Sequence, residues 1–141
     1  MKIPVSLRAI GLVVILGGGL TACSSDPLEP IQRSPLEPFH LEISNATDNF
    51  QLQATAVVGV TSTQTYSWRN TGTRATINHS TTTTAGTALV TIRDGSGAVV
   101  YTKPLVPSLN EATSTGTTGI WTIVLSMTTY SGTLNFRAQK L

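Results

Sequence analysis

The residues able to do chemistry are few and scattered. His40 and His79 are the only histidines, and Cys23 is the only cysteine. Beyond Cys23 the aspartates are Asp26, Asp48 and Asp94. General acid–base work needs an imidazole or carboxylate held within hydrogen-bond reach of a substrate. A Ser-His-Asp set could be assembled from His79, Asp94 and one of several serines. Such sites are defined by geometry rather than by inventory, and no Gly-x-Ser-x-Gly elbow occurs. Metal sites need clustered His, Cys, Asp or Glu, and none cluster along the chain. Asp94-Gly95-Ser96-Gly97 offers one carboxylate of a calcium-type loop but not the others that calcium requires. A hairpin turn accounts for it. Both histidines read as surface residues, so no metal, cofactor or catalysis is expected.

The aromatic residues are the better candidates for binding. Tyr66, Trp68, Tyr101, Trp121 and Tyr130 could form a sugar-stacking platform. Trp121 alternates with Ile123 and Leu125 and reads as core. Tyr66 and Trp68 share one strand face, where core packing is again favoured, yet both stay candidate ligand contacts. Tyr130 sits beside the turn signal Ser131-Gly132 and is the aromatic residue expected to be exposed. The polar stretch Ser108 to Gly119 reads as a loop, and loops on rigid scaffolds often carry binding.

The elements that must position these residues are strands. Charged residues make up only 11% of the 141, and roughly two dozen threonines suit a pleated, half-buried surface. Alternating runs over residues 39–43, 50–58, 63–70, 74–82, 87–93, 99–105, 119–127 and 134–138 predict about eight strands. Asn45 to Asn49, Thr71-Gly72 and Ser131-Gly132 separate them as turns. The expected fold is all-β, an antiparallel β-sandwich with Greek-key or jelly-roll connections. With one cysteine, no intramolecular disulfide can form, and a body of about 100 residues must be stable through its core.

The first residues follow another logic. Lys2 and Arg8 precede an apolar run, Ala9 to Leu20, and small residues lead to Cys23. Charge, apolar core and small residues in that order form an export signal. A membrane-spanning helix needs about 20 apolar residues, whereas this run is shorter and holds Gly17-Gly18-Gly19. Leu20-Thr21-Ala22-Cys23 resembles the lipobox of bacterial lipoproteins. That resemblance implies cleavage between Ala22 and Cys23, and diacylglyceryl on the Cys23 sulfur with palmitate-type chains. It also implies residence in the cell envelope. Two or three acyl chains anchor a protein where one holds it only marginally. Ser24, rather than aspartate, follows the cysteine; in a diderm host the resemblance then implies the outer membrane.

The domain organisation follows: residues 1–22 a signal peptide, 23–38 the lipidated cysteine and a tether, and 39–141 the sandwich. Pro27-Leu28-Glu29-Pro30 recurs as Pro35-Leu36-Glu37-Pro38. Proline fixes φ and removes a donor, so this stretch reads as a semi-extended spacer; a ligand for proline-recognising domains is the alternative. Of the nine basic residues, Lys2 and Arg8 precede the cleavage point while all seven acidic residues follow it. Seven of each remain. That balance gives no basic face for nucleic acid.

The strand rhythm resembles the pre-peptidase C-terminal domain of secreted bacterial proteins. Three places carry it: Tyr66-Ser67-Trp68, Leu89 to Gly97, and Gly119-Ile120-Trp121-Thr122-Ile123 followed by Ser131-Gly132. The acidic strand frequent in that family is replaced here by Ala88-Leu89-Val90-Thr91-Ile92. The resemblance implies an accessory or binding role. The expected partners are the membrane, through Cys23, and another envelope protein or a glycan.

Overall fold

The computed structural model describes residues 33–141. The signal segment, Ala22, Cys23 and most of the proline-rich stretch lie outside the described residues. Seven antiparallel strands form one sheet. They are β1 (Glu42–Ala46), β2 (Asn49–Asn70), β3 (Ala75–His79), β4 (Thr82–Arg93), β5 (Val99–Pro104), β6 (Leu109–Ala112) and β7 (Gly119–Lys140). One turn of 3-10 helix, Glu37–Phe39, precedes them. The all-β expectation holds.

β7 is the central strand. β2 pairs with one edge of it for its whole length. β3 and β4 follow each other along the opposite edge, broken only at Ser80-Thr81. These long ribbons bend midway. In β2 the pairing shifts between Ala54 and Val57, again before Val60, and again before Ser62. β4 shifts around Ala85. Such bulges insert unpaired residues, bend the strand and sharpen its twist. Backbone angles agree: φ is positive at Ala56, Gly59, Gly86, Thr129 and Gly132. At Gly132 only hydrogen fits, because a Cβ there would overlap the Thr82 carbonyl, and Gly86 is held in the same way against the backbone of Thr128 and Thr129.

The bend folds the sheet into two halves. The first contains β1, residues 49–54 of β2, residues 134–139 of β7, β3 and β6. The second contains residues 62–70 of β2, residues 119–127 of β7, β4 and β5. Their inner faces supply one continuous core. Phe50, Leu52, Ala54, Ile77, Leu134 and Phe136 come from the first half. Trp68, Val90, Ile92, Trp121, Ile123 and Leu125 come from the second. Phe50 of the first half lies 5.5 Å from Tyr66 of the second, centroid to centroid. Trp68 and Trp121 meet edge to face at 5.8 Å, a geometry that adds about 0.5–1.5 kcal/mol beyond area burial.

Both open edges of the folded sheet are sewn together. On the β1 side, Asn45 Nδ2 donates to the Ser67 carbonyl at 2.9 Å, and the Asp48 N–H donates to Arg69 at 2.8 Å. On the other side, the Ser114 N–H donates to Val100 at 3.0 Å, and Lys103 pairs with Glu111. The result is sandwich-like, with two layers made from one bent sheet.

The strand list differs from expectation in several ways, among them that the strand expected from residue 87 begins at Thr82. The runs expected at 50–58 and 63–70 are one strand, as are those at 119–127 and 134–138, because the bend carries the chain across without a turn. The stretch Ser108 to Gly119 contains a strand, β6. Finally, the first strand begins at Glu42 rather than Phe39. The folded body also starts earlier than residue 39: Leu36 is fully buried, and Ser34 Oγ donates to Gln64 Oε1. The end of the expected tether is therefore part of the domain.

Candidate functional site

Tyr130 corrects the expectation of exposure. It is completely buried in the middle of β7. Its hydroxyl proton is shared between the carbonyls of Thr82 at 3.0 Å and Thr133 at 3.1 Å. Burial pushes the phenol pKa up. Ser131-Gly132, read as a turn, is the continuation of the strand past the bend. Tyr130 is thus a bolt holding the bend closed.

Trp68 is also core, and its indole N–H donates to the Ala46 carbonyl at 3.1 Å. Tyr66 is half-buried against Phe50, and burial raises its pKa. Trp121 donates to Thr117 at 2.8 Å from a fully buried position. Every aromatic side chain among the described residues is buried or half-buried. The stacking platform drawn from Tyr66, Trp68 and Tyr130 is absent from the described surface.

Asp94 organises the hairpin expected of it. Its Oδ1 accepts from the Ser96 and Ala98 N–H groups and the Ser96 hydroxyl, and its Oδ2 accepts from the Thr117 N–H at 2.6 Å. These donors favour the anion, led by the Ser96 hydroxyl, and hold its pKa at about 2. A carboxylate this fully engaged is a loop staple rather than a calcium ligand. No cluster of three or more His, Cys, Asp or Glu that could hold a metal occurs among the described residues.

His79 corrects the second surface assignment. It is 1% exposed, with Nδ1 3.1 Å from the Leu105 carbonyl. A carbonyl can only accept, so Nδ1 carries the hydrogen. His40, in contrast, is exposed. Burial lowers the His79 pKa, opposed by the Leu105 hydrogen bond and by Glu111. The phase of the strand carried this signal, since Ala75, Ile77 and His79 all fall on one face. Tyr101 and Glu111, close to His79 in space, had no comparable signal because β5 and β6 are distant in sequence.

The outer faces of the two halves carry the remaining candidates. On the second half, cross-strand register sets Thr65, Val124, Thr91 and Thr102 in one row. Thr63, Ser126, Leu89 and Pro104 form the next. Ser67, Thr122 and Arg93 follow, and then Arg69 beside Ile120. Three of the exposed large apolar residues belong here: Ile120 at 54%, Val99 at 48% and Leu89 at 41%. The charged members of these rows are arginines alone. On the first half, the rows are Glu42, Gln53, Asn135; then Ser44, Gln51, Arg137, Asn78, Asn110; then Ala46, Asn49, Gln139, Thr76, Ala112. That face is dominated by amides.

Comparison with models of known protein families, with curated proteins and with solved structures finds no match for this chain.

Proposed function

We propose that the chain is a bacterial envelope lipoprotein whose folded body is a non-catalytic module for binding another protein. Lipid on Cys23, after cleavage behind Ala22, holds it to a membrane, the outer one in a diderm host. The contact surface is the outer face of the second half. The observation that carries this reading is the exposure of Leu89, Val99 and Ile120 on one face among rows of hydroxyls, without a carboxylate among the rows. Single exposed apolar residues are ordinary, whereas apolar residues grouped on one face mark interaction surfaces. The glycan alternative loses support, because the aromatic residues that would stack on sugar rings are turned inward. An accessory role of this kind is also what the resemblance to pre-peptidase C-terminal domains implies.

The test is crosslinking of the native lipoprotein in intact membranes, followed by mass spectrometry of what is captured. One dominant protein is expected, lost on Leu89→Glu combined with Ile120→Glu. Capture that survives the double substitution would remove the face from the reading. No protein above background, together with retention on envelope polysaccharide, would move the function to glycans. Cys23→Ser is expected to leave an unprocessed precursor; a cleaved and membrane-free variant would sink the anchor.

A further inference from the structure

Five buried side-chain polar atoms lack a hydrogen-bond partner among the described residues, and three belong to one neighbourhood: His79 Nε2, Tyr101 Oη and Glu111 Oε1. Register explains the proximity of His79 and Glu111. On the β3–β6 ladder Glu111 stands opposite Ile77, two residues along the same face from His79, a diagonal pair. Tyr101 and Lys103 share one face of β5, which belongs to the opposing half of the sandwich. Lys103 Nζ lies 3.5 Å from Glu111 Oε1, an ion pair without a tight hydrogen bond. Tyr101 is buried, and burial together with the Glu111 carboxylate raises its pKa.

These groups occupy the seam where β5 meets β6 and where the folded sheet closes on itself. The hydrogen bonds closing it are few. The Ser114 N–H and hydroxyl both donate to the Val100 carbonyl at 3.0 Å across the seam, while the Leu105 N–H, at the start of the connection, donates to Ala88 of β4 at 2.9 Å. His79 Nδ1–H donates to the Leu105 carbonyl. Nε2 is consequently the bare acceptor and the place where a proton adds.

We propose that His79, Glu111 and Tyr101 form an acid-operated clasp: proton uptake at His79 Nε2 loosens the β5–β6 seam and frees the connection from Pro104 to Leu109. The groups facing His79 decide the direction. Glu111 from β6 attracts the imidazolium, but Lys103 from β5 already engages that carboxylate. Tyr101 from β5 is a neutral phenol, and β7 presents Phe136 opposite His79. Nothing from these elements replaces the water that a charged ring loses on burial, a penalty that can shift a buried histidine by units. The loosened form exposes the ring to water. The sign is definite. The folded pKa lies below the ordinary 6.5, so the open form binds the proton more readily. Closure is fully present above about pH 6.5 and weakens as pH falls below it.

Hydrogen exchange on the intact chain, corrected for intrinsic rates, tests this. Protection of the Leu105 and Ser114 amides is expected to fall between pH 7 and 5, approaching tenfold per pH unit for one linked proton. Protection of the Gly97 amide, at the hairpin, stays constant. His79→Gln is expected to abolish the pH dependence at Leu105. The same dependence in that variant, or an equal fall at Gly97, would overturn the clasp. Should His79→Gln fail to fold, Glu111→Gln serves: removing the carboxylate disfavours the imidazolium in the closed form, so the fall in protection still begins near pH 6.5 but continues to lower pH than in the parent. A fall that ends at the parent's pH would also overturn the proposal.

Discussion

The two outer faces of the sandwich solve one problem in opposite ways. Their inner faces are alike, since each half buries aliphatic and aromatic side chains in the common core. Outside, the first half presents Gln51, Gln53, Asn78, Asn110, Asn135 and Gln139, amides that suit contact with water or, as at Gln51 with Arg137 and Asn135 with Ser80, with polar neighbours. The second presents threonine methyls and hydroxyls between Leu89, Val99, Val124 and Ile120. Both compositions fit a pleated surface, but β-branched residues fit it better, and their methyls gain about 25 cal/mol per Å² when covered. Folding alone requires neither choice. The difference teaches that the second face is suited to being covered and the first to staying wet.

The comparison depends on the bend that separates the halves, and breaking it carries the largest expected effect. In Gly132→Val the new side chain would collide with the Thr82 backbone and occupy a backbone conformation that valine avoids. A loss of about 4 kcal/mol or more is expected, in the range reserved for backbone strain and overpacking. Thermal unfolding followed by circular dichroism checks it. A cooperative transition close to that of the parent would mean that the halves can meet without this close approach.

A middle-sized effect compares the staples at the ends of the two halves. Asp48 ties the β1–β2 turn to the far end of β2 and to the end of β7, accepting from the Thr71 N–H and hydroxyl and pairing with Lys140 at 2.9 Å. Asp94 does the same for the second half from a buried position. Both carboxyls are held at about 2 against an ordinary 3.8, Asp48 chiefly by the Thr71 N–H and Asp94 chiefly by the Ser96 hydroxyl. Depressed folded values stabilise the fold above about pH 4, and that stability is lost as pH falls toward 2. Denaturant unfolding across this window is expected to show a shallower acid limb in Asp48→Asn and in Asp94→Asn. Added salt is expected to weaken the Asp48 contribution more, because one partner there is the half-exposed Lys140 ammonium. Equal salt sensitivity would show that the two staples work by the same means.

Much of this architecture was legible in the residues, and what was not has a physical cause. Strand faces could be read because period-two alternation records burial directly: Ala88, Val90 and Ile92 all point inward. The bend was harder. Trp121, Ile123, Leu125 and Met127 are odd-numbered core positions, whereas Tyr130, Leu134, Phe136 and Ala138 are even. That change of parity is the trace of the irregularity at Thr128-Thr129, and reading Ser131-Gly132 as a turn concealed it. Thr129 and Ala56 adopt positive φ without being glycine, so no composition rule marks them. The clasp was not legible at all, since strand pairing across the seam joins residues that local patterns cannot connect.

The smallest expected effect on stability is the one that separates the two faces most sharply. Leu89→Glu on the second face and Gln53→Glu on the first each replace an outward side chain that the core does not use. Surface changes of this kind usually stay within about 0.5 kcal/mol, and equal unfolding midpoints are expected for both variants. Their behaviour toward a hydrophobic resin should differ: Leu89→Glu lowers retention of the folded protein, and Gln53→Glu leaves it unchanged. If both variants eluted with the parent, the exposed aliphatic side chains of the second face would not act as a common surface. The contrast between the faces would then be one of composition without consequence for contact.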